Sequence, residues 1–150
     1  ATDKARPEEV VTYQPAVPTI QVAVVGAHLS GMPLNTQLTE RKARLLEQTT
    51  TTPNYRLYAL PNTTPPKPGL KRVEQDGAEI VLEVWEMAAS EFGSFVNLIP
   101  APLGIGNVEL ADGRWVNGFI CEGYGFTGAR DVTEFGGWRA FIKSGAAAPQ

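Results

Sequence analysis

Ile20-Gln-Val-Ala-Val-Val25, halted by Gly26, sets the reading of the fold. β-branched residues run together and stop at a strand breaker, as in a largely buried strand. Downstream, Leu34, Leu38, Leu45 and Leu46 fall on one helical face, with Glu40, Arg41 and Arg44 elsewhere. This predicts a helix over 34–47, entered through Pro33 or Asn35 and frayed by Thr49–Thr52. Tyr55-Arg-Leu-Tyr-Ala-Leu60 is a short strand. The prolines crowded between Pro61 and Gly69 forbid ladder hydrogen bonds, so that stretch is a semi-rigid loop. Ile80–Met87 alternates as a strand behind an Asp76-Gly77 hairpin signal. Phe92, Phe95, Val96 and Ile99 keep helical spacing until Pro100 and Pro102 end it. Val108–Leu110 and Trp115–Cys121 flank Asp112-Gly113, the strongest short hairpin signal. After a glycine-rich loop at Gly123–Gly128, Val132, Phe135, Trp138 or Arg139, and Ile142 predict a short C-terminal helix behind an Asp131 or Thr133 cap. One strand, one helix, then mainly antiparallel strands make the class α+β, with a small curled antiparallel or mixed barrel and flanking helices.

Outside this frame, Ala1–Thr19 carries Pro7, Pro15 and Pro18 without periodicity and reads as an extended tether, while Ser144–Gln150 reads as a disordered tail. That leaves one domain over residues 20–143, consistent with a length of 150 residues. Gly (15) and Pro (12) both exceed average usage of about 7% and 5%. Net charge is −3 with no long basic block, which argues against nucleic acid as a partner. No apolar run approaches a membrane span. A single cysteine, Cys121, allows no internal disulfide and makes a reducing cytoplasm the expected location. One histidine and one cysteine exclude the common zinc sites, so neither metal nor cofactor is expected.

Chemistry concentrates in Gly26-Ala-His-Leu-Ser-Gly-Met-Pro-Leu-Asn35, where a strand ends among glycines, the chain's only imidazole, a hydroxyl and the start of the predicted helix. Backbone N–H groups at such a junction suit a carboxylate or phosphate, although a tight turn that only satisfies its own backbone explains the same residues. No phosphate P-loop or dinucleotide fingerprint is present. Ser30 and His28 stand two apart without a third orienting group, which excludes a serine triad. Arg56, Lys67, Lys71, Arg72 and Arg130 are the cations near loops and strands, with Lys71 and Arg72 read as solvated charges. Phe119, Tyr124, Phe126, Phe135 and Trp138 are expected in the core, and Cys121 as an inert buried thiol.

The string Val24-Val-Gly-Ala-His-Leu-Ser-Gly-Met-Pro-Leu-Asn-Thr-Gln-Leu38 closely resembles the C-terminal domain of allophanate hydrolase. So do Tyr55–Pro61, Pro65–Leu70, Gly93-Ser-Phe95, Ile99–Gly106, Gly118-Phe119, Ala129-Arg-Asp131 and Phe135–Arg139, in order. The resemblance spans about residues 20–143 and implies a fold similar to γ-glutamylcyclotransferases. In that family amide hydrolysis belongs to a separate amidase-signature domain with a Ser, Ser, Lys arrangement, which this segment lacks. What the resemblance implies here is work on N-carboxycarbamate, a small dianion of urea or s-triazine nitrogen metabolism, by assisting its decarboxylation. A cyclotransferase needs a glutamate where Asn97-Leu-Ile-Pro-Ala101 has none, so γ-glutamyl chemistry is not expected.

The expected site therefore has His28 as the catalytic residue, with Gly26, Ala27, Leu29, Ser30, Gly31, Asn35, Tyr55, Arg56, Lys67 and Gly69 around a small carboxylate substrate. Expected partners are an amidase-signature domain or a second copy of the chain. The alternative is a non-catalytic oligomerisation or docking module of a multi-enzyme nitrogen pathway.

Overall fold

The computed structural model describes residues 17–146. Of the expected tether over 1–19 and tail over 144–150, residues 1–16 and 147–150 lie outside them, and Thr19 already belongs to the first strand. Strand β1 (Thr19–Val24) is the middle of a five-stranded sheet, which explains its unbroken apolar run. On one side it pairs antiparallel with β5 (Val81–Ala88), and β2 (Arg44–Thr50) follows at the edge. On the other it pairs parallel with β7 (Trp115–Cys121), which forms the Asp112-Gly113 hairpin with β6 (Leu103–Glu109). Gly118 permits the parallel contact: a Cβ there would stand 3.2 Å from that of Ala23 and 2.7 Å from Val108 Cγ2. A second sheet holds β4 (Pro68–Arg72), β3 (Tyr55–Ala59) and β8 (Arg130–Asp131), in that order. Leu57 and Leu70 of the small sheet join Val22, Val24, Leu82 and Val84 of the large one in a single core.

The class is α+β as expected, but among the described residues the two sheets do not close into a barrel. The predicted helix over 34–47 is a further correction. Helix α1 covers only Thr36–Thr39, and the chain turns at Lys42, whose φ is +59°, with Ala43 N–H donating to the Leu38 carbonyl at 3.1 Å. Leu45 and Leu46 then enter β2, where a bulge interrupts the pairing with β5 and leaves both exposed. The threonines beyond them continue the strand, as β-branched residues do.

Other segments depart in smaller ways. Pro68 and Gly69 open β4 instead of belonging to the loop; β4 is an edge strand, where a proline's missing N–H does no harm. Asp76-Gly77 forms no hairpin, because β4 and β5 lie in different sheets and the turn carries the chain between them. Helix α2 (Ala89–Val96) stands as predicted and buries Phe95. The C-terminal helix is split: a 3-10 turn at Thr133–Phe135, then Gly136 at φ +75°, then α3 (Trp138–Lys143). Asp131 Oδ1 accepts the Thr133 N–H at 3.0 Å, so the capping residue serves the turn and not the helix. Phe119 and Trp138 are in the core, whereas Tyr124 is 62% exposed.

Candidate functional site

The chain leaves β1 at Gly26 and folds into a compact loop. Leu29 N–H donates to the Gly26 carbonyl at 3.0 Å, Leu34 N–H to Ala27 at 2.8 Å, and the Asn35 side-chain amide to the His28 carbonyl at 2.8 Å. Gly26 is required by contact, since a Cβ there would stand 2.3 Å from Pro68 Cδ. That close approach sets the first residue of β4, with Lys67 just before it, against the loop.

Between these segments lies a small, partly open pocket of about 30 Å³. Its polar side chains are His28, Gln37 and Lys67, and its walls are Leu34, Leu98, Ile99, Pro100, Leu103 and Phe119. The His28 ring is buried, its centroid 4.8 Å from that of Phe119 and 5.3 Å from that of Phe95. Its Nε2 is 2.6 Å from Gln37 Oε1. Burial pulls the imidazole below its ordinary value near 6.5; the Gln37 hydrogen bond opposes this, and the Lys67 charge adds to it. Lys67 is itself 9% exposed, forms no ion pair among the described residues, and is pushed down by burial. A nearly buried ammonium without a counter-ion, beside a neutral-leaning imidazole in an apolar cleft, suits a small anion.

Of the residues expected around the site, Gly26, Ala27, His28 and Lys67 meet in this pocket. The others lie elsewhere. Leu29 is in the core. Ser30 donates from its N–H (2.9 Å) and Oγ (3.2 Å) to Glu83 Oε1, away from the pocket. Gly31 takes φ +81° at the exposed turn, and Asn35 braces the loop from behind His28. The Tyr55 ring is buried, its hydroxyl accepting the Glu109 N–H at 3.0 Å. Arg56 pairs with Asp131 at 2.7 Å, and Gly69 lies under Leu60, Phe126 and Cys121. Cys121 is half-buried, and burial pushes its thiol up, away from reactivity. Sequence reading missed Gln37 and the wall from Leu98 to Pro100, which signal nothing until the loop and the end of α2 are seen side by side. Among the described residues no cluster of His, Cys, Asp and Glu is placed to hold a metal, and no helix is long and apolar enough to cross a membrane.

The family model for the allophanate hydrolase C-terminal domain matches residues 20–143. This chain belongs to that family. Urea amidolyase of Lachancea kluyveri is 49% identical to the domain over 128 residues, covering 83% of this chain and 7% of that protein. Allophanate hydrolase of Kluyveromyces lactis superposes with a TM-score of 0.81 at 48% identity, covering 83% of this chain and 21% of that one. The uropathogenic E. coli-specific protein c4763 superposes with a TM-score of 0.77 at 30% identity, covering 83% of this chain and 96% of that one. Allophanate hydrolase C-terminal domains therefore occur inside much longer chains, and this chain spans less than a tenth of the curated relatives it matches.

Proposed function

We propose that the His28–Lys67 pocket binds a small dicarboxylated nitrogen compound, N-carboxycarbamate, and assists its decarboxylation in the cytoplasm, in partnership with an amidase domain that supplies it. The supporting observation is Lys67, nearly buried, without an ion-pair partner among the described residues, and lining the same pocket as His28. Heterolysis of the C–N bond releases CO2 and leaves the electron pair on nitrogen, which must take up one proton to become carbamate. Lys67 anchors one carboxylate, and the second lies among Leu98, Ile99, Leu103 and Phe119. There the loss of water favours the departure of neutral CO2 over a localised charge. His28 supplies the proton: a dianion at its side favours the imidazolium and offsets the depression caused by burial.

Malonate, which carries two carboxylates at similar spacing, is the probe. Calorimetric titration is expected to show one site per chain, lost in Lys67→Met. His28→Ala is expected to slow decarboxylation of N-carboxycarbamate, generated in place by an amidase domain acting on allophanate, by roughly 10² to 10⁴. Equal malonate binding by wild type and Lys67→Met would remove the proposal.

A further inference from the structure

We infer that Gln37 is a positioning residue: its Oε1 keeps the His28 proton on Nε2 and leaves Nδ1 as the ring atom that meets a ligand. The inference rests on the reading of the pocket above and specifies how its histidine is set. An amide oxygen only accepts, so at 2.6 Å the Nε2 nitrogen must be the donor. The Gln37 main chain is anchored on its helix: its backbone N–H donates to the Leu34 carbonyl at 3.0 Å, and its backbone carbonyl accepts from Arg41 Nη1 at 3.0 Å. The His28 carbonyl is held by Asn35, and the ring lies against Phe95 and Phe119.

Nδ1 bonds to no described residue. Among the described residues Nδ1 is not a sealed, partnerless atom, and the ring lines the pocket. The ligand-free neutral ring then presents a lone pair at Nδ1. When a dianion enters, a proton taken up at Nδ1 gives an imidazolium with both N–H groups satisfied, one on Gln37 and one on the ligand. The other charged side chain lining this pocket is Lys67. A Gln37 amide turned the other way would put the proton on Nδ1 before the ligand arrives and leave no room for uptake there.

His28 is the chain's single histidine, so the ring nitrogens of ¹⁵N-labelled protein give unambiguous NMR signals. In neutral wild type the Nε2–H tautomer is expected to dominate. Gln37→Leu, which keeps the volume and removes the acceptor, is expected to lower the ratio of Nε2–H to Nδ1–H about fivefold, the equivalent of one ordinary hydrogen bond. Gln37→Glu is expected to raise the His28 pKa, because a carboxylate favours the imidazolium. In the coupled decarboxylation assay Gln37→Leu is expected to lower kcat while leaving KM for the dianion little changed. An Nδ1–H tautomer in wild type, or a Gln37→Leu ratio equal to wild type, overturns the inference. Should Gln37→Leu fail to fold, an unmoved pKa in Gln37→Glu overturns it equally. A tautomer governed by Gln37 with no response to malonate supports the inference and overturns the pocket reading instead.

Discussion

Replacing Glu83 by leucine should loosen the loop that carries His28, at a cost set by the hydrogen bonds that the carboxylate accepts. The Glu83 side chain is 2% exposed. Its Oε1 accepts from Ser30 N (2.9 Å), Ser30 Oγ (3.2 Å) and Trp85 Nε1 (3.0 Å), and its Oε2 from Arg139 Nη2 (3.2 Å). Leucine leaves the Ser30 N–H and the Trp85 indole without an acceptor, at about 1–3 kcal/mol each. The serine hydroxyl can rotate, and Arg139 is 28% exposed and keeps the Ser30 carbonyl at 2.8 Å, so these two add little. The removed cost of burying the carboxylate offsets part of the loss. A net destabilisation of about 3 kcal/mol results, or a Tm lowered by roughly 6–12 °C for a domain of this size. Glu83→Gln, which retains one acceptor oxygen, should lose about half as much. Urea denaturation followed by far-UV circular dichroism measures both, and avoids a fluorescence signal altered by the change beside Trp85. A loss under about 1 kcal/mol for Glu83→Leu, or a leucine variant more stable than the glutamine one, would refute the reasoning.

The remaining predictions concern the pocket. Gly26→Ala places a Cβ 2.3 Å from Pro68 Cδ and should cost about 1–3 kcal/mol; since it displaces the residue after Lys67, malonate titration should also weaken. Lys67→Met removes a nearly buried charge that has no ion-pair partner among the described residues, so thermal melts should show a fold at least as stable as wild type while malonate affinity drops at least about tenfold. Burial holds the folded-state pKa of His28 below the ordinary value near 6.5, so between the two the unfolded chain binds more protons and stability rises with pH. This contribution is full above about pH 6.5 and is lost as pH falls through the folded value; the stability difference between wild type and His28→Gln across that range isolates it, and a flat difference refutes it. Finally, the 150-residue chain alone should release no ammonia from allophanate above a buffer control.

How far the sequence could be read depended on whether the deciding interactions were local. β1, α2 and the β6–β7 hairpin are announced by their own residues: a β-branched run, apolar residues at helical spacing, and Asp112-Gly113. The 34–47 segment carries equally good helical spacing, yet Leu38 is wholly buried while Leu45 and Leu46 are exposed. A positive φ at Lys42 and pairing with β5, neither visible in the periodicity, separate them. The same division holds at the site. The His28 loop stands out by its glycines, and Lys67 as a cation among prolines. Gln37 looks like any polar helix position, and Leu98, Ile99 and Phe119 reach the pocket from remote segments. Arg56 and Tyr55 lie on the strand beside β4, but the register sets them opposite Lys71 and Arg72, at the far end from Lys67, where they turn to Asp131 and the core.

The strand order of the large sheet also governs when the domain can form. β1 is made first yet lies in the middle, so its two flanks are filled by β5 and β7, which begin some sixty and ninety residues later along the chain. On a ribosome, an apolar ribbon with both edges bare must wait until the C-terminal third emerges, and its parallel edge waits longest. Such long closures slow folding and lengthen the period in which a sticky strand is open to wrong neighbours. In a longer polypeptide, whatever precedes β1 has time to fold before this domain does.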